Sequence, residues 1–140
     1  MPKTICQSVT LPASAEKLFD MYMNPTIQGA FTGGAVTINA KRGSKFQAFD
    51  GMIFGKTLEV VPKHMIVQSW RGKHWKTKDL DSILILTFWP QGKEGRIELI
   101  HVNVADHDYE GVKEGWEKYY WKPWREYLEK NERKSAKRAA

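Results

Sequence analysis

The run Ser82–Trp89, SILILTFW, is followed across Gln91-Gly92-Lys93-Glu94-Gly95 by a second run, Arg96–Val104, RIELIHVNV. Both are rich in β-branched and aromatic residues, and the glycines between them supply turn chemistry, so the pair reads as an antiparallel hairpin. Successive side chains of a strand point to opposite faces. If Ser82, Leu84, Leu86 and Phe88 share the inward face with Ile97, Leu99 and His101, then Ile83, Ile85, Trp89, Ile100 and Val102 point outward. Adjacent outward apolar residues are not expected on a solvated convex face. Either a tail, a loop or a register-shifting bulge hides them, or Ile83, Ile85, Ile100 and Val102 form a partner or homodimer surface.

Upstream of the hairpin the same alternation recurs in Val36–Asn39, Lys45–Phe49, Ile53–Val61 and Met65–Trp70. The breaks fall at Arg42-Gly43-Ser44, Asp50-Gly51, Pro62-Lys63 and Lys76–Asp79, each with Gly, Pro or Asp to start a turn. Six consecutive strands with short connections imply an antiparallel meander. Before them, Thr4–Leu11 reads as an opening strand that stops at Pro12. Ser14 is placed to cap a helix whose apolar face is Leu18, Phe19, Tyr22 and Met23. Asn24-Pro25 ends that helix and starts a second, short one over Thr26–Phe31.

Downstream, Val112, Trp116, Tyr119, Tyr120, Pro123, Trp124, Tyr127 and Leu128 recur at three- and four-residue intervals within Tyr109–Asn131. That is one long amphipathic helix, with a kink expected at Pro123, which has no N–H to offer the carbonyl of Tyr119. The order β-α-α-β6-α defines an α+β domain in which a curved antiparallel sheet wraps around the C-terminal helix, since no other helix is long enough to cover the concave face.

At 140 residues, 41% hydrophobic and 27% charged, the chain has the size and composition of one globular domain. It is expected to fold over residues 1–131, leaving 132–140 as a basic, frayed tail. From Lys130 to Ala140 five basic residues face only Glu132, so that stretch carries most of the net +6 and the rest of the chain too little to mark a nucleic-acid footprint. Cys6 is the sole cysteine, which excludes an internal disulfide and a cysteine-based metal site. With no signal-peptide pattern and no run of about 18 apolar residues, a cytoplasmic protein without membrane insertion is expected.

Catalytic signatures are absent. Among the histidines, His64 and His74 fall at turns, His107 lies between Asp106 and Asp108, and His101 is mid-strand; none has metal-helix spacing. No Gly-x-Ser-x-Gly elbow and no Gly-rich phosphate motif occurs. His101 is either a hydrogen-bonded structural residue or a group that orients a ligand in a cavity. The aromatic helix face is equally open to two readings, plain core or the lining of an apolar pocket.

A set of short motifs in fixed order carries a family resemblance: Gln28-Gly29-Ala30-Phe31-Thr32, Gly43-Ser44-Lys45-Phe46, Asp50-Gly51, Glu59-Val60-Val61-Pro62, Met65 to Trp70-Arg71 with Trp75 beyond, Leu86-Thr87-Phe88 and Gly115-Trp116-Glu117-Lys118-Tyr119-Tyr120. Over Thr4 to about Glu129 the chain resembles the activator-of-heat-shock-protein-90-ATPase homologue family, of the C-terminal-domain type, within the START-like (SRPBCC, Bet v 1-like) superfamily. The resemblance implies a helix-grip fold and a non-catalytic role in binding a partner or an apolar ligand.

The expectation is therefore a cofactor-free interaction or chaperone-cofactor-like module without a metal, with a chaperone or other protein as partner. Its ligand cavity would be lined by Trp70, Leu84, Leu86, Phe88, Leu99, His101, Trp116, Tyr120 and Trp124. The alternatives are a carrier or sensor of a small lipophilic molecule held between helix and sheet and, less favoured, a cyclase-type enzyme. An enclosed empty cavity favours the carrier; a filled core with an exposed apolar patch favours the interaction module.

Overall fold

A computed structural model describes the backbone of residues 1–139 and side chains through residue 134. Strand β1 (Lys3–Leu11) leads into helices α1 (Ala15–Met23) and α2 (Pro25–Thr32). Strands β2 (Lys45–Ala48), β3 (Ile53–Val61), β4 (Met65–Gly72), β5 (Ser82–Gln91) and β6 (Glu94–Val104) come next. After a short 3₁₀ turn (Asp106–Asp108), the C-terminal helix comprises α3 (Tyr109–Gly115), a π-helical turn (Trp116–Trp121) and α4 (Lys122–Ala139). The expected basic tail thus continues α4; its side chains from Ser135 on lie outside the described residues.

The strands form one six-stranded antiparallel sheet in the order β1-β6-β5-β4-β3-β2. The meander runs outward from β6 to β2, and β1 adds beside β6, so first and last strands are neighbours. The α+β helix-grip class holds, with one change of detail. Val36–Asn39, the first of the six expected strands, contributes only a single bridge, Thr37 to Gln47. Asn39 then turns the chain, its side chain accepting from the Lys41 N–H at 2.8 Å and its carbonyl from the Ser44 hydroxyl at 3.0 Å. A local polar turn has displaced a second pair of ladder bonds.

Local chemistry sets the helix ends. Ser14 Oγ accepts from the Lys17 N–H (3.2 Å), and Asn24 Oδ1 from Thr26 and Ile27 (3.0 and 3.1 Å), with Pro25 in the first turn of α2. β3 and β4 approach so closely at Gly55 that a Cβ there would stand 1.9 Å from the Ser69 carbonyl oxygen, which only glycine permits.

The hairpin register is the one the alternation demands. Leu84 pairs with His101, Leu86 with Leu99 and Phe88 with Ile97, and all six are buried against the helices.

Candidate binding cleft and outer sheet face

The C-terminal helix is not uniform. Pro123 cannot donate to Tyr119, and the turn before it widens so that the Lys122 N–H bonds to the carbonyl of Glu117, five residues back. The extra residue rotates the remainder of the helix. Trp116, Tyr120, Trp121 and Trp124 are all buried, Trp124 against Met21 and Tyr22 of α1 and Phe31 of α2, whereas Tyr119 stands 49% exposed. Trp121 lies three residues before Trp124 and seven before Leu128, spacings that put all three on one buried face.

Trp124 fills the space where a cavity was expected. It is 0% exposed, stacked on Phe31 with centroids 4.7 Å apart, and its indole N–H meets the Met21 sulfur at 3.5 Å. Leu84, Leu86, Phe88, Leu99 and His101 are likewise closed core. These six members of the expected cavity are therefore packing residues, because the aromatic stripe is bulky enough to fill the concave face itself. The remaining three, Trp70, Trp116 and Tyr120, line an open cleft of about 220 Å³ at one end of the helix.

His101 belongs to a buried relay whose directions can be assigned. The Trp116 indole can only donate, so His101 Nδ1 accepts from it (3.2 Å); Nε2 then carries the proton and donates to Ser82 Oγ (2.8 Å), which donates to the Trp70 carbonyl (2.5 Å). Burial pushes the imidazole down to about 3, so it is neutral at physiological pH. No carboxylate orients the ring and the serine proton is already committed, so this Ser–His contact ties helix to sheet and does not form an activated nucleophile.

The cleft lies between the β2–β3 turn, the end of β4 and the start of the C-terminal helix. Gly111 and Gly115, one helical turn apart, both line it and leave it open for want of side chains. Phe49 and Asp50 hold positive φ (52° and 56°) in the turn, uncommon for residues with a Cβ. That turn sets the Phe49 ring edge-on to Tyr120, centroids 5.5 Å apart. The polar members of the lining are His74 and Asp108. His74 Nε2 lies 3.1 Å from Asp108 Oδ2, which also accepts from the Trp75 indole at 2.8 Å. Beside them His107 bonds Asp79 at 2.7 Å and, with the Lys76 N–H, holds that carboxyl below its ordinary range. Phe49, Met52, Ile53, His74 and Asp108 were not expected in a site; the glycine pair in α3 was the available signal. No group of three or more His, Cys, Asp or Glu among the described residues could hold a metal ion. No helix of the described residues is long and apolar enough to cross a membrane.

On the outer face of the sheet, Ile83 pairs with Val102, and Ile85 stands between Ile100 and Val67, with Cys6 beyond Ile100. None of Ile83, Ile85, Ile100 and Val102 is buried; Ile100 is 41% exposed and Trp89 47%. The Arg96–Glu98 ion pair (3.2 Å) borders the row.

A filled helix-grip core, a satisfied polar relay and an apolar outer face define a small α+β domain of the START-like kind. Residues 12–129 match the model of the family described as activator of Hsp90 ATPase homolog 1-like protein, and the chain belongs to that family. It is 30% identical over 112 residues to the human activator of 90 kDa heat shock protein ATPase homolog 1, a match that covers 80% of this chain and 33% of that protein. The chain therefore spans about a third of the length of the curated relatives it matches. In structure it is similar to PFC0360w, an HSP90 activator from Plasmodium falciparum (TM-score 0.82, 21% identity, 90% of this chain and 96% of that one). It is also similar to the Aha1 dimer from Colwellia psychrerythraea (TM-score 0.71, 13% identity, 85% and 91%).

Proposed function

We propose that this chain is a non-catalytic protein-binding domain that engages a 90-kDa heat-shock chaperone through the outer face of its sheet. The observation that carries the reading is the row Ile83, Ile85, Ile100 and Val102, left unburied on a domain whose inner face is filled. Apolar side chains brought together by register and bordered by an ion pair are the usual form of a partner surface. The relatives named as activators of the chaperone's ATPase supply the partner. The filled space under Trp124 counts against a carrier of bulky lipophilic molecules.

The test is binding of the purified chain to the chaperone by calorimetry, repeated with Ile85→Lys combined with Ile100→Glu. The two positions face each other across β5 and β6, so the introduced charges can pair and the fold is retained. A folded variant with at least tenfold weaker binding supports the proposal. A folded variant that binds as the wild type does overturns it. A variant that instead lowers the mass of a wild-type dimer in ultracentrifugation, without touching chaperone binding, assigns the face to a second copy.

A further inference from the structure

The apolar row on the outer face ends in two unmatched cations. Elsewhere on that face Arg71 meets Asp81 at 2.7 Å, Arg96 meets Glu98 at 3.2 Å, and Arg42 is paired with Glu59. Lys45 and Lys56 are different. Both are exposed, neither ammonium group has an ion-pair partner among the described residues, and the register of β2 on β3 sets the two directly opposite each other. Facing like charges destabilise a strand pair, so the free domain holds these two together at a cost that a carboxylate between them would remove. From Lys56 the row crosses β4, where Ser69 Oγ accepts from the Lys56 N–H at 2.9 Å, and continues to Ile83 on β5 and Val102 on β6. Phe54, two residues before Lys56 on the same face of β3, is 40% exposed and gives the cations an apolar flank.

Neighbouring strands lie about 4.8 Å apart, which puts Lys56 roughly 10 Å and Lys45 roughly 14 Å from Ile83. A nucleic acid fits poorly, because half of the row offers its phosphates nothing but aliphatic side chains. A second copy also fits poorly. Glu59, Asp81 and Glu98 are already engaged, and Glu94, at the β5–β6 turn, lies eight residues along the strand from the level of Ile83, roughly 27 Å away. We infer that the outer face recognises a segment of the chaperone in which an acidic side chain stands about 10–14 Å from an apolar one, the carboxylate between Lys45 and Lys56 and the apolar group on Ile83 and Val102. On a helix that spacing corresponds to residues roughly seven to nine positions apart. The inference rests on the chaperone reading and adds to it the chemistry and orientation of what is bound.

The experiment titrates the full chain with the purified 90-kDa chaperone at about 50 mM and about 300 mM salt, where exposed charges are weakly and strongly screened. The variants are Lys45→Gln combined with Lys56→Gln, Lys45→Arg combined with Lys56→Arg, and Ile85→Lys combined with Ile100→Glu. Removing two facing charges should leave the urea midpoint unchanged or raise it, so weaker binding by the glutamine variant is not a folding defect. Expected at low salt are binding weaker by roughly tenfold, slower association, and a shallower dependence on salt than the wild type shows; the arginine variant should bind as the wild type does. If the isoleucine variant loses binding while the glutamine variant matches the wild type at both salt concentrations, the chaperone reading stands and the acidic contact is refuted. If the glutamine variant loses binding and the isoleucine variant does not, the joint acidic and apolar recognition is refuted. A wild-type chain that does not bind the chaperone overturns the reading and the inference together. Unchanged chaperone binding with lost affinity for a single-stranded oligonucleotide would assign the lysines to a polyanion and overturn the inference.

Discussion

Replacing His101 by Gln should flatten the acid side of the stability profile. The buried imidazole resists protonation down to about 3 in the folded protein, against about 6.5 in an unfolded chain. Between those values the unfolded state takes up a proton that the folded state does not. The contribution of the neutral ring is therefore complete above pH 6.5 and is lost progressively as pH falls toward 3. For one such group the linkage relation gives a loss of about 2 kcal/mol between pH 7 and pH 5. Glutamine can still accept from Trp116 and donate to Ser82 but does not titrate. Its absolute stability should be lower, by roughly 1–3 kcal/mol for imperfect geometry, yet its dependence on pH should be shallower by about the 2 kcal/mol that the imidazole accounts for. Urea unfolding at intervals from pH 7 to pH 5 on both proteins reads this directly, because every other titrating group is common to the two. Parallel profiles would refute the assignment of His101 as a buried neutral ring.

Two further substitutions probe the packing. Trp116→Ala removes a buried indole that stacks on Trp121 at 5.6 Å and orients His101; it should cost about 3–5 kcal/mol in urea unfolding, and an unchanged midpoint would mean the helix does not dock there. Gly55→Ala forces a methyl to within 1.9 Å of the Ser69 carbonyl and should destabilise by roughly 3 kcal/mol or more through separation of β3 from β4, whereas a wild-type midpoint would refute the close strand contact.

The sheet was legible in the sequence because alternation, turn residues and strand parity all pointed the same way, and Leu84, Leu86 and Phe88 match Ile97 and Leu99 in parity. The helix caps were legible for the same local reason, in Ser14 and Asn24. What the residues did not disclose was where the aromatic helix would leave space. Pro123 announced a defect in the helix, but whether it would kink or widen depends on how the tryptophans pack, and the outcome is a widened turn with Trp121 buried and Tyr119 half exposed. The cavity was misplaced for a related reason: periodicity tells which side chains face inward, not whether their volumes leave a void. The cleft arises instead where side chains are missing, at Gly111 and Gly115, and where a turn with positive φ holds Phe49, neither of which hydrophobic patterning detects.

The central claim, that the outer face of β5 and β6 receives the chaperone, is tested most directly by cross-saturation from the unlabelled 90-kDa chaperone to a methyl-labelled chain. The account predicts that the methyl signals of Ile83, Ile85, Ile100 and Val102 lose intensity first and most. Loss confined to methyls lining the cleft, such as Met52 and Val112, with the outer-face isoleucines unaffected, would contradict it.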